Sequence, residues 1–301
     1  DAARRPLLAR RPVGHGALLL GSRGLCGRQP DASDPINASW LQPLLAQVAS
    51  GKAVDANRPP ESMPPENAVE RGGLRIRYND YMRPYADTIF DLYSRERPVL
   101  ESILGVPPAS GMLTSLILLP TGGGGFSSGT EIGLGVFWGG FPEKSYGMIE
   151  LLAHEATHSW VLPFPEPMWN EGIASYVGIL AGRGMGEAEA ADETLKGWID
   201  NARRDDPDFS KLDIAHGTGV PHSVAMAKPM WIFEQLRTER PDILARYFQA
   251  KRQLIDPGKV DDYTADDAVA VLSIAMERDL FPWFKSLGIT VDRAKTALPV
   301  P

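Results

Sequence analysis

The sequence predicts an α+β protein, a small mixed sheet lobe followed by a helical lobe with a cleft between them. Strand-like runs are confined to the first half: LRIRY (74–78), MLTSLILLP (112–120) and IGLGVFWG (132–139). From about residue 147 onward apolar residues recur at helical spacing, segment after segment. Between the two regimes lies GGGGFSSG (122–129), too rich in glycine for a regular element and expected to be a mobile loop.

The elements follow in order. Residues 1–72 are expected to be an N-terminal extension, arginine-rich at first, with Ser39 capping a short helix in NASWLQPLLAQVASG and a proline-rich linker after it. The boundary is placed at Gly72–Gly73, and 73–301 is expected to be the main unit, divided at 162 into a sheet lobe and a helical lobe. LRIRY alternates apolar and basic residues, as a half-buried strand does. Ile89, Phe90, Leu92 and Tyr93 then mark a helix that Gly105 would end, with Pro98 either kinking it or starting a second piece. Further helices are expected at 148–161, 168–181, 188–203 and 222–238. Pro241 stands near the start of the next one, and Thr264 with Asp267 has the pattern of a capping box for the last long one.

Composition narrows the function classes. A net charge of −7 disfavours nucleic acid or an anionic membrane as partner. The single Cys26 excludes an internal disulfide framework and a cysteine-rich metal site. No run reaches the ~18 apolar residues of a membrane span. The glycine-rich loop lacks the lysine and following Ser or Thr of a phosphate-binding loop. The start at Asp1, without methionine, suggests a processed chain and a secreted or periplasmic location.

The chemistry is concentrated in LLAHEATHSWVLPFPEPMWNEG (151–172). His154 and His158, four apart in a breaker-free apolar helix, present two imidazoles on one face, as a divalent metal requires. Glu155 stands one position round, beside such a metal, where a carboxylate can act as base toward a water. The chain has only five histidines, so two of them in this register with a glutamate are a strong signal. An extended motif with a third histidine is excluded, because Val161 and Phe164 occupy the positions it needs. Two carboxylates remain as third ligand: Glu166, between two prolines with poorly fixed aim, and Glu171, which sits one turn into a helix that Pro167 would start and is preferred for that rigidity.

HEATH, ten residues, and then WNEGIASYVG resemble the gluzincin metallopeptidases, closest to the group called peptidase MA-like. That group's blocks read HExxH and then a tryptophan shortly before EG-[IL]-A-[DE]-Y; the plant basic secretory proteins carry a similar EGIADY block. The resemblance implies a thermolysin-like domain with one catalytic zinc held by His154, His158 and Glu171, a water activated by Glu155, and a peptide or protein substrate. It extends loosely from about residue 73 to the C-terminus, where FPWFKSLGITV resembles closing segments of related gluzincins. Only the two motif blocks are specific. One position departs from the pattern: Ser175 stands where such families often carry an acidic residue hydrogen-bonded to a ligating histidine. A packing role is the alternative for it, a small residue facing the first helix together with Gly178 and Gly182.

Enzymes of this kind take an oxyanion donor from outside the motif. His216, His222, Tyr176 and Tyr263 are the candidates, and His222 ranks first because it would stand at a helix start. IGLGVFWG is expected to be the edge strand that pairs with an extended substrate backbone. A protein keeping the fold and little turnover is the rival to a peptidase.

Overall fold

A computed structural model of the chain describes the backbone of residues 8–13 and 16–21, and residues 67–79, 82–119, 124–161, 166–255 and 263–301. The short helix expected around Ser39, the proline-rich linker and Cys26 lie outside the described residues. So do Pro120 to Gly123 of the glycine-rich region.

Strands β1 (Leu8–Val13) and β2 (Gly16–Gly21) form a separate antiparallel hairpin. The main sheet has five strands: β3 (Asn67–Arg71), β4 (Leu74–Tyr78), β5 (Ser115–Leu119), β6 (Gly125–Ser127) and β7 (Glu131–Gly135). Their order in space is β3-β4-β5-β7-β6. The inner pairs β4–β5 and β5–β7 are parallel, while β3–β4 and β7–β6 at the two edges are antiparallel. This is the mixed sheet lobe expected from the sequence, with two corrections. Gly72–Gly73, expected to be a domain boundary, is the two-residue turn of the β3–β4 hairpin; both glycines have positive φ, as such a turn demands. The sheet therefore begins at Asn67. Secondly, GGGGFSSG is not wholly loop: its Gly125–Ser127 is a strand, and it displaces IGLGVFWG from the edge. Trp138–Gly140, expected to continue the strand, forms a single 3-10 turn.

Alternation sets the two faces of the sheet. Leu74, Ile76, Leu116, Leu118, Ile132 and Leu134 are buried toward the helices. On the opposite face Arg77 pairs with Glu131 at 3.1 Å, and Ser115 donates to the same carboxylate at 2.9 Å.

Helix α1 (Arg83–Leu104) connects β4 to the parallel β5 and runs unbroken through Pro98, with Gly105 closing it in the left-handed conformation. Its buried side includes Ile89, Phe90, Leu92 and Tyr93, and also Glu96, both of whose carboxylate oxygens lack a partner. The helical lobe consists of α2 (Tyr146–Val161), α3 (Asn170–Gly184), α4 (Ala188–Ala202), α5 (His222–Glu239), α6 (Ile243–Leu254), α7 (Ala265–Met276) and the short α8 (Phe281–Ser286). Thr264 caps α7 with the full reciprocal pair of bonds to Asp267. Pro229 lies inside α5 without ending it.

The pair α2–α3 positions the site. The two helices approach closely because α3 presents glycine where they meet: a Cβ on Gly178 would lie 2.8 Å from the carbonyl oxygen of Glu150. Trp169, just before α3, is buried and touches Phe233, Tyr247 and Phe284, with ring centroids 5.2, 6.2 and 6.0 Å away. This aromatic anchor fixes where α3 starts.

Candidate metal centre

Three side chains from α2 and α3 converge. The Nε2 atoms of His154 and His158 are 3.1 Å apart. Glu171 sets Oε2 3.3 Å from His154 Nε2 and Oε1 3.5 Å from His158 Nε2. Around a tetrahedral zinc with ligand bonds of about 2.0–2.1 Å, neighbouring ligand atoms stand roughly 3.3–3.4 Å apart. The observed triangle has that size, so the residues present fit a divalent metal. The grouping of His154, His158 and Glu171 is one that could hold such an ion.

The outer nitrogens of both rings are also engaged. His154 Nδ1 is 2.9 Å from Ser175 Oγ. In the tautomer with Nδ1–H donating to that hydroxyl, which a bound cation would select, Nε2 is left with its lone pair toward the shared centre. Asn170 places its amide nitrogen 3.3 Å from His158 Nδ1 and 3.2 Å from Glu171 Oε1. Asn170 was not singled out in the sequence; its only signal there is its place beside Glu171.

Glu171 is 58% exposed at its side chain, whereas the imidazoles are mostly covered. Its carboxyl is held well below the usual range by hydrogen bonds from His154 first and His158 next. Glu155 is buried, and burial raises its carboxyl above the usual range, with Glu171 adding repulsion and the two imidazoles acting in the opposite sense. Two adjacent carboxylates thus have opposite proton affinities, one suited to holding a cation and the other to exchanging a proton.

A cleft of ≈ 340 Å³ is lined by these four residues, by Asn170 and by the edge strand Gly125–Ser127. The strand lies tight against Glu155: a Cβ on Gly125 would come within 2.9 Å of its carboxylate. Ser127 Oγ lies 2.9 Å from Ser159 Oγ of α2 and ties strand to helix. Gly135 N–H donates to Gly124 O, and Ser128 N–H donates to Glu131 O. Alternation then leaves the backbone groups of Gly125 and Ser127 on the free edge.

The remaining candidates lie elsewhere. Glu166, the rejected alternative for third ligand, is buried and accepts bonds from Trp169 Nε1 at 2.8 Å, Tyr247 OH at 2.6 Å and Lys251 Nζ at 2.6 Å. His222 stands at the start of α5, as expected, but it is exposed with its ring 6.1 Å from that of Trp198 and does not line the cleft. His216 is exposed on a loop and also absent from the cleft walls. Tyr176, on α3 itself, is buried and hydrogen-bonded to Glu234, and Tyr263 is buried with its hydroxyl 3.1 Å from that of Tyr247. A helix start does not by itself aim a side chain inward, and in this structure His222 is not among the residues lining the cleft.

No protein-family model matches the chain, and no curated protein does. Among solved structures, a functionally unknown conserved protein from Bacillus anthracis str. Ames matches with a TM-score of 0.50 at 13% identity, over 77% of this chain and 50% of that one. An M1 zinc metallopeptidase from Deinococcus radiodurans, an E323A mutant bound to Tyr-Ser-Ala, matches with a TM-score of 0.45 at 13% identity, over 78% and 52%. A two-domain M1 zinc metallopeptidase, an E323A mutant bound to L-tryptophan, matches with a TM-score of 0.46 at 15% identity, over 78% and 52%. This chain spans about half the length of each. The likeness is one of fold, and it is distant. Among the described residues no helix is long and apolar enough to cross a membrane.

Proposed function

We propose that this chain is a zinc-dependent peptide hydrolase of the gluzincin kind, with His154, His158 and Glu171 as ligands and Glu155 as base. The observation that carries the reading is the triangle of ligand atoms, with edges of 3.1, 3.3 and 3.5 Å, beside the buried carboxylate of Glu155 in the same cleft. When bound, zinc supplies Lewis acidity toward a carbonyl and lowers the pKa of a water to about 7. Glu155 takes the proton of the attacking water at its carboxylate and returns it to the departing nitrogen. Gly125 and Ser127 offer free N–H and C=O groups along the cleft, so an extended peptide adds to the sheet edge there and lies across the base. Ser175 and Asn170 hold the imidazoles in orientation.

The same proposal takes the sheet and helical lobes together as the catalytic unit, the residues before them as an extension, and the compartment as secreted or periplasmic.

A second reading is a metal-holding binding protein with little turnover. It is favoured by Ser175, which brings no charge to His154, and by the absence of His216, His222, Tyr176 and Tyr263 from the cleft walls. Zinc analysis combined with peptide-library cleavage, on wild type and Glu155→Gln, separates the readings. The hydrolase reading expects stoichiometric zinc in both proteins and a fall in turnover of about 10²–10⁴-fold in the variant. Zinc in both with no cleavage by either supports the binding protein. Equal cleavage by both removes Glu155 from the mechanism, and no zinc uptake by either overturns both readings.

A further inference from the structure

A second chamber, of ≈ 480 Å³, lies along α2 on the N-terminal side of the metal centre, with Trp138, Lys144, Tyr146, Gly147 and Glu150 among its walls. Glu150 precedes His154 by one helical turn, so chamber and cleft follow one another along the same helix. They also meet across the sheet. Trp138 lies 3.8 Å from where a Cβ on Gly124 would sit, and Gly124 leads directly into the edge strand of the cleft.

The chemistry of this chamber differs from that of its neighbour. Two aromatic rings, Trp138 and Tyr146, give it an apolar body. Its carboxylate, Glu150, is half-buried against α3, with its Cγ 3.0 Å from the position of a Gly178 Cβ. No hydrogen bond or ion pair engages Glu150 among the described residues. Burial raises its carboxyl. Lys144, the cation on the chamber wall, is exposed and forms no ion pair with it. A half-buried carboxylate without a cation is costly to the apo fold and favourable to a ligand that brings one. Aromatic walls suit the aliphatic stem of such a ligand and attract its charged head.

We propose that the chamber between Trp138, Tyr146 and Glu150 is a specificity pocket for an arginine or lysine side chain of the substrate, next to the bond that is cut. The inference rests on the hydrolase reading above. With the substrate backbone on Gly125 and Ser127, the residue that passes Gly124 turns its side chain toward Trp138. Its guanidinium or ammonium group then meets Glu150. Glu150 is thus a specificity-determining residue and takes no part in bond cleavage.

The test has a binding arm and a cleavage arm, so the two readings fail separately. In calorimetric titrations, n-butylguanidine should bind the wild type about 10- to 100-fold more tightly than its neutral isostere n-butylurea, as a charge-assisted hydrogen bond implies. Glu150→Gln should abolish the difference. In a peptide library the wild type should favour Arg or Lys at one position flanking the cut, while Glu150→Gln loses that preference by a similar factor and still cuts norleucine peptides at the wild-type rate. That last measurement shows that the variant is folded. A butylguanidine preference without any cleavage preserves the pocket and overturns only the hydrolase reading. Cleavage without a basic preference overturns the pocket, and so does equal binding of the two probes. A requirement for a free amino terminus in place of a basic side chain also overturns it, since Glu150 would then grip the substrate's amine.

Discussion

Replacing Lys251 with methionine probes the buried ion pair at the segment from which α3 departs. Lys251 Nζ lies 2.6 Å from Glu166 Oε1, with both side chains at most 1% exposed. Glu166 also accepts from Trp169 and Tyr247, so it sits at the anchor from which α3 and Glu171 depart. Lys251→Met leaves a carboxylate with two neutral donors and no cation. Breaking a buried pair on one side costs about 3–5 kcal/mol. At roughly 2–4 °C per kcal/mol for a domain of this size, the melting temperature should fall by about 6–20 °C. The double variant Glu166→Gln/Lys251→Met removes both charges and keeps an amide for Trp169 and Tyr247. It should recover most of that loss, because exchanging a whole buried pair for neutral groups is close to neutral. Thermal melts by circular dichroism, with zinc uptake measured alongside, provide the assay. Were the single variant to lose less than about 1 kcal/mol, or single and double variants to melt together, the ion pair would not be holding this junction.

Two further outcomes follow. Ser175→Ala removes the hydroxyl 2.9 Å from His154 Nδ1 and should weaken zinc affinity by about 10–100-fold in chelator competition, with Ser175→Asp at least restoring it; unchanged affinity would show that His154 is oriented by other contacts. Glu96 is fully buried with neither oxygen paired among the described residues, and burial raises its carboxyl well above the usual value, with Arg95 opposing. The folded state therefore retains a proton that the unfolded chain releases above about pH 4.3, and stability falls as pH rises from there toward the folded pKa, by up to ~1.4 kcal/mol per unit. Glu96→Gln should flatten that slope and stabilise the protein more at pH 8 than at pH 4 in urea titrations, whereas parallel profiles would contradict the assignment.

The metal motif was legible in the sequence because its information is local. Four-residue spacing on a breaker-free helix fixes where two imidazoles point, and Trp169–Gly172 marks the start of the helix that brings Glu171. The capping box at Thr264 and the stop at Gly105 were legible for the same reason. What escaped depends on distant partners. Glu166 could be placed only by knowing that Lys251, 85 positions later, would meet it. The edge strand is three residues long in a glycine-rich stretch, and its pairing with β7 decides its state more than its own propensity does. His222 was read correctly as a helix start, but direction is set by packing, and here the ring rests on Trp198 at the surface.

Under the proposed pairing, the shortness of β6 limits how much of a substrate chain the sheet can hold. Three residues rising about 3.3 Å each extend for roughly 10 Å, so a bound chain gains backbone pairing over a tripeptide-sized stretch and no further. So brief a rim is also a poor template for stacking one copy of this protein on another, which an exposed border of greater length would invite. Under the proposed pairing at this border, selectivity falls to the side-chain pockets beside it.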